Sequence, residues 1–516
     1  MAIKKSIDTK LVIQPIIGIM VHEYVFEGPC RFGSGEELTL EYDRMVGADG
    51  FKAFRDNLEK FIIPEEDFRM LEPIIHEITE SFEVTEAMMT ELTKNNNVAD
   101  VYLFTSIGRT YPMVLELASR TKKPFICLQE CCDKTQVPAM LRSRGLECVS
   151  EMTWPDTVKR MKVYRLKKIL QNTKMLLVTR GFTNSALVSA CDGFINIDEA
   201  CKIFGCQYTC VDVHEFLDQT HRKGSPCPTL PTRIPMQLDE AEMKEIEVKA
   251  DQVITGAGDC NVTREAVIDS LRFYITAKKF MEHYECNAFS APCPEMCATT
   301  RLNQEKYTPC FTHSLLNGEG ISSACEYDIP GLISQVILSN CVKAGAYMGN
   351  CVTVYYEKDG KTVSTFMAPS NDLQKKVDAM TPAERANLVI SYHSSINLQM
   401  AGYDAEPLKH NIRNYTGSGW GPTVRHDFRE NKGQVLTMAR ISPDAKTLFV
   451  ARGTVVAGTG EDMSGCTQGI LFTVADSHDF FKKQCDVGNH VPMVFGDCFN
   501  EIVELGHLLG LNVITA

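Results

Sequence analysis

The first half of the chain alternates short apolar runs with helical stretches, and that alternation restricts the fold more than any other feature. Residues 11–20 and 101–105 are predicted strands, 123–128 is a third, and a helix is expected over 111–119. Strands that are apolar along their length and separated by helices imply a parallel sheet covered on both faces. A helix over 157–170 closes this unit. A second unit begins with a strand at 174–179 and a turn at Arg180-Gly181. It continues through a helix over 195–204, a strand over 208–213 and a charged surface helix over 239–250. Asn261-Val-Thr-Arg-Glu265 is expected to open a long, well-capped helix running to about Tyr284, and 288–291 leads into a turn at Cys293-Pro-Glu-Met-Cys297.

From about residue 345 the pattern changes to β. Segments 352–356 and 362–366 flank Lys358-Asp-Gly-Lys361, a hairpin signal. Thr381-Pro-Ala-Glu384 is a capping box with proline at the first helical position. Further strands are expected at 434–441, 447–456 and 511–514, with a helix over 498–509. The expected fold class is α/β, with two doubly wound α/β domains, 1-171 and 172-345, followed by a β-rich C-terminal domain, 346-516. At 516 residues the chain is too long for one ordinary core, in keeping with that division.

A net charge of −13 with no basic block excludes a nucleic-acid partner. No apolar run reaches the roughly 20 residues that span a bilayer, so no membrane association is expected. Residues 11–20 lack a small-x-small cleavage site after them and read as a buried strand rather than a leader, which makes a cytoplasmic location the expectation. The 21 cysteines form no disulfide pattern: the count is odd and Cys-x-x-Cys is absent. Cys131-Cys132, Cys201/Cys206/Cys210 and Cys293/Cys297 are the nearest approaches to an iron–sulfur or zinc pattern, and buried free thiols are the plainer interpretation. Thr255-Gly-Ala-Gly-Asp259 and Gly458-Thr-Gly-Glu461 lack dinucleotide spacing, and neither a P-loop nor a Gly-x-Ser-x-Gly elbow occurs.

Glu326 in Ala-Cys-Glu-Tyr-Asp (324–328) and His490 in Gly-Asn-His-Val-Pro-Met (488–493) each follow a small or apolar stretch and precede a segment patterned as helix. An oxygen donor and an imidazole at two such strand ends, distant in sequence, suggest a divalent-metal site assembled by the fold. The competing readings are a carboxylate favoured by a helix dipole and a core histidine. Asp328 shares a face with Glu326 if the segment is extended, and otherwise caps the next helix. His393 ends a strand-like run, either as a further ligand or as a hydrogen-bonded strand-end histidine. Trp420, in Gly-Ser-Gly-Trp-Gly-Pro, either stacks on a sugar face or anchors its loop. His283, His313, His410 and His426 show no ligand spacing.

Segments 324–332, 349–354 (Gly-Asn-Cys-Val-Thr-Val), 432–441 and 488–497, with Cys293-Pro-Glu295 ahead of them, occur in the order found in one family. The chain resembles the L-fucose isomerase / L-arabinose isomerase superfamily, and most closely its L-fucose isomerase-like branch. The resemblance covers most of 260–516; earlier residues match in layout alone. It implies an aldose–ketose isomerase that uses Mn²⁺ or another divalent ion, on a free or modified monosaccharide such as a deoxy- or sulfo-hexose, fucose or arabinose. It implies a metal site of glutamate, aspartate and histidine, matched here by Glu326, Asn350 and His490, with His393 where the arabinose isomerases have another metal-binding histidine. Asn350 departs from the aspartate, and its amide is not basic, so Asp328 is an alternative second proton-transfer group. The resemblance also implies self-association as a trimer or hexamer. A non-catalytic or diverged sugar-binding protein of the same fold is the alternative that Asn350 motivates.

Overall fold

A computed structural model describes residues 3–28, 31–128, 133–180, 191–226, 235–358, 361–364 and 371–516. The chain divides into two compact units, Thr9–Lys168 and Met1–Asp8 with Ile169–Ala516.

In the unit Thr9–Lys168, the strands are β1 (Leu11–Val21), β2 (Phe68–Met70), β3 (Ile74–Thr79), β4 (Val101–Ile107), β5 (Phe125–Cys127) and β6 (Cys148–Ser150). All pairings are parallel, in the order β2-β1-β4-β5-β6 with β3 also on β1. Every residue of β1 is buried, as a central strand covered on both faces requires. Pro15 stands where the partner of β1 changes, after the Leu11–Ile13 pairing with β2 and before Ile16 meets β3. A strand residue without an N–H is tolerated at such a gap.

The second unit opens with another parallel sheet: β7 (Lys174–Thr179), β8 (Gln207–Asp212), β9 (Ala288–Ser290) and β10 (Ser322–Ala324), in the order β10-β9-β7-β8. The chain runs from β7 outward to β8, then returns to the other side of β7 for β9, the reversal that defines a doubly wound sheet. The following helix, Ile329–Val342, is buried from Ile329 through Asn340 and packs on both β10 and the strands beyond.

Those strands are β11 (Tyr347–Thr353), β12 (Tyr355–Lys358), β13 (Lys361–Ser364), β14 (Leu388–His393), β15 (Asn411–Asn414), β16 (Pro422–Arg425), β17 (Val435–Ile441), β18 (Thr447–Thr459), β19 (Gln468–Thr473), β20 (His490–Phe495) and β21 (Asn512–Thr515). Six of them run β17-β20-β11-β14-β19-β18, and β18 pairs back to β17, closing an antiparallel barrel. Two hairpin ribbons, β12–β13 and β15–β16, lie outside the ring, and β21 adds to β18 in parallel. The expected α/β class with a β-rich C-terminal region is therefore what the chain forms. The residues expected as second and third domains share one core, in which Leu176 and Phe289 join Met438 and Phe472.

Several boundaries differ from expectation. The long helix is Arg264–His283, capped within its expected opening segment by Thr263, whose hydroxyl accepts from the Ala266 N–H at 3.2 Å. Cys293–Ala298 forms a short helix rather than a turn. Lys358 pairs with Lys361 as the hairpin signal requires, while Asp359 and Gly360 lie outside the described residues, as do Gly181, Cys131 and Cys132. Among the described residues no helix is long and apolar enough to cross a membrane.

Candidate metal centre

Glu326 lies in the four-residue link between β10 and the helix Ile329–Val342. The link turns sharply: Glu326 and Tyr327 both take left-handed backbone, with φ of 60° and 56°. Each such residue costs on the order of 1 kcal/mol, and residues held this way concentrate at functional sites. The Tyr327 N–H donates to the Ala291 carbonyl at 3.1 Å, and Asp328 caps the helix by accepting from the Gly331 N–H at 2.8 Å. The segment is left-handed and not extended, so of the two readings of Asp328 it is the helix cap that forms.

Three adjacent barrel strands deliver the other residues. His490 is the first residue of β20, so it opens a strand where the sequence suggested a strand end. It stands opposite Asn350 on β11, and Asn350 stands opposite Tyr392 on β14, one residue before His393 at the strand's end. His393 and His490 are buried, with their ring centroids 5.5 Å apart at 78°.

The two carboxylate oxygens of Glu326 face different partners. Oε1 is 3.4 Å from His393 Nε2, and Oε2 is 3.6 Å from His490 Nε2. Burial opposes ionisation of Glu326, but the hydrogen bond with His393 and the charges of His490 and His393 outweigh it, so its carboxyl lies below its usual value. Burial likewise opposes charge on His393, yet Glu326 raises its pKa. His490 turns its other nitrogen away: Nδ1 is 3.0 Å from Asp328 Oδ2. Asp328, fully buried, also accepts from Arg440 Nη1 at 2.7 Å. Burial resists its ionisation too, and Arg440 and His490 together hold its carboxyl well below the usual carboxylate range. Arg440 further donates to the carbonyls of His490 and Val487, each at 2.6 Å, and pairs with Asp192 at 3.1 Å. A carboxylate on one imidazole nitrogen leaves the other oriented as a donor to a cation.

These groups fit a divalent ion. Nδ1 of the buried His393 has no hydrogen-bond partner. Cys325, Glu326 and His393 each offer a ligand atom, all within 4.8 Å of one another. The Asn350 side-chain oxygen accepts from Asn489 Nδ2, and its amide donates to the Tyr392 carbonyl at 3.4 Å, so Asn350 borders the cluster with both ends engaged. Trp420 is not brought to the cluster by any contact of its own. It is half-buried between β15 and β16, packs on the main core and bonds Thr416 through its backbone. A groove of about 620 Å³ lined by Cys351, Thr353, His478, Lys482 and Asn489 contains none of Glu326, His393 or His490.

Two participants escaped the sequence reading. Arg440 sits in Val-Leu-Thr-Met-Ala-Arg-Ile, where a cation inside an otherwise apolar strand was the available signal. Cys325 precedes Glu326 directly, and its thiol lies within hydrogen-bonding reach of those of Cys293 and Cys310.

Fold and site together define an α/β protein with a histidine–carboxylate–thiol cluster of metal-ligand spacing, shared by the link after β10 and two strands of a closed barrel. No protein-family model matches the chain. Over 282 residues it is 24% identical to the sulfoquinovose isomerases of Priestia aryabhattai and Priestia megaterium (strain ATCC 12872 / QMB1551). The match takes in 54% of this chain and 54% of each relative, so the chain spans about half the length of the curated relatives it matches.

Proposed function

We propose that this protein is a sugar isomerase that interconverts an aldose and a ketose with the help of a divalent ion such as Mn²⁺. The observation that carries the reading is the meeting of Glu326 with His393 and His490, from positions far apart in the chain, in one cluster. The similarity to two sulfoquinovose isomerases supports the reaction class and makes a sulfo-hexose the first sugar to try, ahead of deoxy-hexoses, fucose and arabinose. The trimer or hexamer implied by the family resemblance belongs to the same reading.

Glu326, His490 and His393 would hold the ion, with the Asn350 carbonyl oxygen beside them. An ion bound there would supply positive charge to offset the negative charge that gathers as a proton leaves the carbon beside the carbonyl. Glu326 is the proton carrier. Its carboxyl is kept ionised, so one oxygen would serve the ion while the other takes the proton from C2 and returns it to C1, the O2 hydroxyl proton passing to O1. Asp328, locked to Arg440 and His490, serves as an orienting group rather than a second base. Asn350, its amide engaged by Asn489 and Tyr392, moves no proton.

The test is incubation of the Mn²⁺-loaded protein with sulfo-, deoxy- and unmodified aldoses in D₂O. Isomerisation with deuterium entering at the proton-transfer carbon, abolished by EDTA and restored by Mn²⁺, is the expected result. Activity undiminished in a demetallated sample would overturn the metal-dependent reading. The second reading, a sugar-binding protein without catalysis, draws on Asn350, whose engaged amide replaces a carboxylate. It is favoured if a sugar binds and its C–H bonds do not exchange.

A further inference from the structure

The divergence of the Glu326 oxygens leaves the cluster with two unlike corners. In one, Oε2 faces His490, whose far nitrogen is anchored by Asp328. In the other, Oε1 faces His393, and the third donor is sulfur. Among the described residues, Cys325, Glu326 and His393 are the one trio of such side chains with ligand atoms all within 4.8 Å. Tetrahedral coordination by sulfur, oxygen and nitrogen at about 2.0–2.3 Å needs donor separations somewhat shorter than this, within reach of small side-chain adjustments. Two further observations point the same way. His393 is fully buried and turns Nε2 toward Glu326 Oε1, 3.4 Å away. Cys325 is also buried, directly before Glu326 in the turn, with the thiols of Cys293 and Cys310 near its own.

We propose that Cys325 is a metal donor, forming with Glu326 and His393 a mixed sulfur–oxygen–nitrogen site for a thiophilic divalent cation of the zinc and cobalt class. Carboxylate and imidazole alone suit manganese and magnesium almost as well, whereas a thiolate selects softer ions. Binding replaces the Cys325 S–H bond with a sulfur–metal bond and releases the proton to solvent. The exposed Cys297, one thiol further along the chain Cys325–Cys293–Cys297, lies outside the donor trio. The inference deepens the isomerase reading by making its ion a sulfur-bound one, but it stands on the donor geometry and is tested without a sugar.

The experiment is titration of the metal-free full chain with Co²⁺ under anaerobic, reducing conditions, followed by absorption. A thiolate-to-cobalt charge-transfer band in the near ultraviolet, saturating at one equivalent, is expected. Cys325→Ser should abolish the band and weaken Co²⁺ binding by more than the roughly 10–100-fold that loss of an outer partner causes. Cys297→Ser should leave both unchanged. Wild-type protein that binds Co²⁺ without the band overturns the proposal whether or not the Cys325 variant folds, and so does a band that survives in Cys325→Ser. Isomerisation with Mn²⁺ but no cobalt–thiolate band refutes this inference alone. A Cys325-dependent band in a protein that exchanges no sugar proton refutes the isomerase reading alone.

Discussion

Glu326 is placed to serve two purposes at once, because its oxygens are 3.4 and 3.6 Å from imidazoles on different strands. Glu326→Gln keeps the shape and removes the charge. We expect kcat to fall by about 10²–10⁴, the usual contribution of a positioned base, and Mn²⁺ affinity to fall with it. Steady-state kinetics beside a metal titration checks both; a variant with full kcat refutes the assignment. Asp328 acts through His490. Asp328→Asn should weaken metal binding by roughly 10–100-fold, the range for loss of a group that orients a ligand. It also leaves Arg440 buried without its carboxylate, and urea unfolding of the metal-free protein should register a loss toward the lower end of about 3–5 kcal/mol, since Asp192 remains. Unchanged stability would show that the pair contributes nothing net.

At the scale of elements, β10 is clamped to the neighbouring helix Pro309–Gly318 through His313, whose Nδ1 is 2.7 Å from the Ser323 hydroxyl. Burial pushes the His313 pKa down to about 4. The unfolded chain binds this proton near pH 6.5 and the folded chain does not until about 4, so stability is complete above 6.5 and falls as the pH drops between them. The loss at the acid end is about 3 kcal/mol for this group. Denaturant unfolding at several pH values should show that slope, and His313→Asn should flatten it. Most strands and helices were legible because periodicity and caps are local signals; β7 occupies the expected 174–179 without change. The site was half legible. Glu326, His490 and His393 could be named from motifs and resemblance, but their distances depend on the register β20–β11–β14, which no local pattern encodes. The left-handed turn at Glu326 and Tyr327 carries no glycine to announce it, and the thiol cluster gathers residues whose spacing along the chain resembles no ligand motif.

At the scale of the molecule, the units carry separate cores: Ile16, Phe104 and Phe125 belong to one, and Phe289, Met438 and Phe472 to the other. The candidate ion lies wholly within Ile169–Ala516. A fragment of residues 9–168 should therefore unfold cooperatively by itself and be indifferent to Mn²⁺. In the full chain, Mn²⁺ at a hundredfold excess over its Kd should stabilise one transition by about 2.7 kcal/mol and leave the other in place. Calorimetry with and without the metal checks this, and equal stabilisation of both transitions would contradict the location of the site. The pairing of β18 with β17 has a consequence for how such a protein could change its preferences. A closed hoop has a circumference set by strand number and stagger, so its rim cannot dilate to admit a bulkier guest. On the proposed reading, new tastes would be acquired in the links between strands, while the separation of His393 and His490 stays fixed by the hoop.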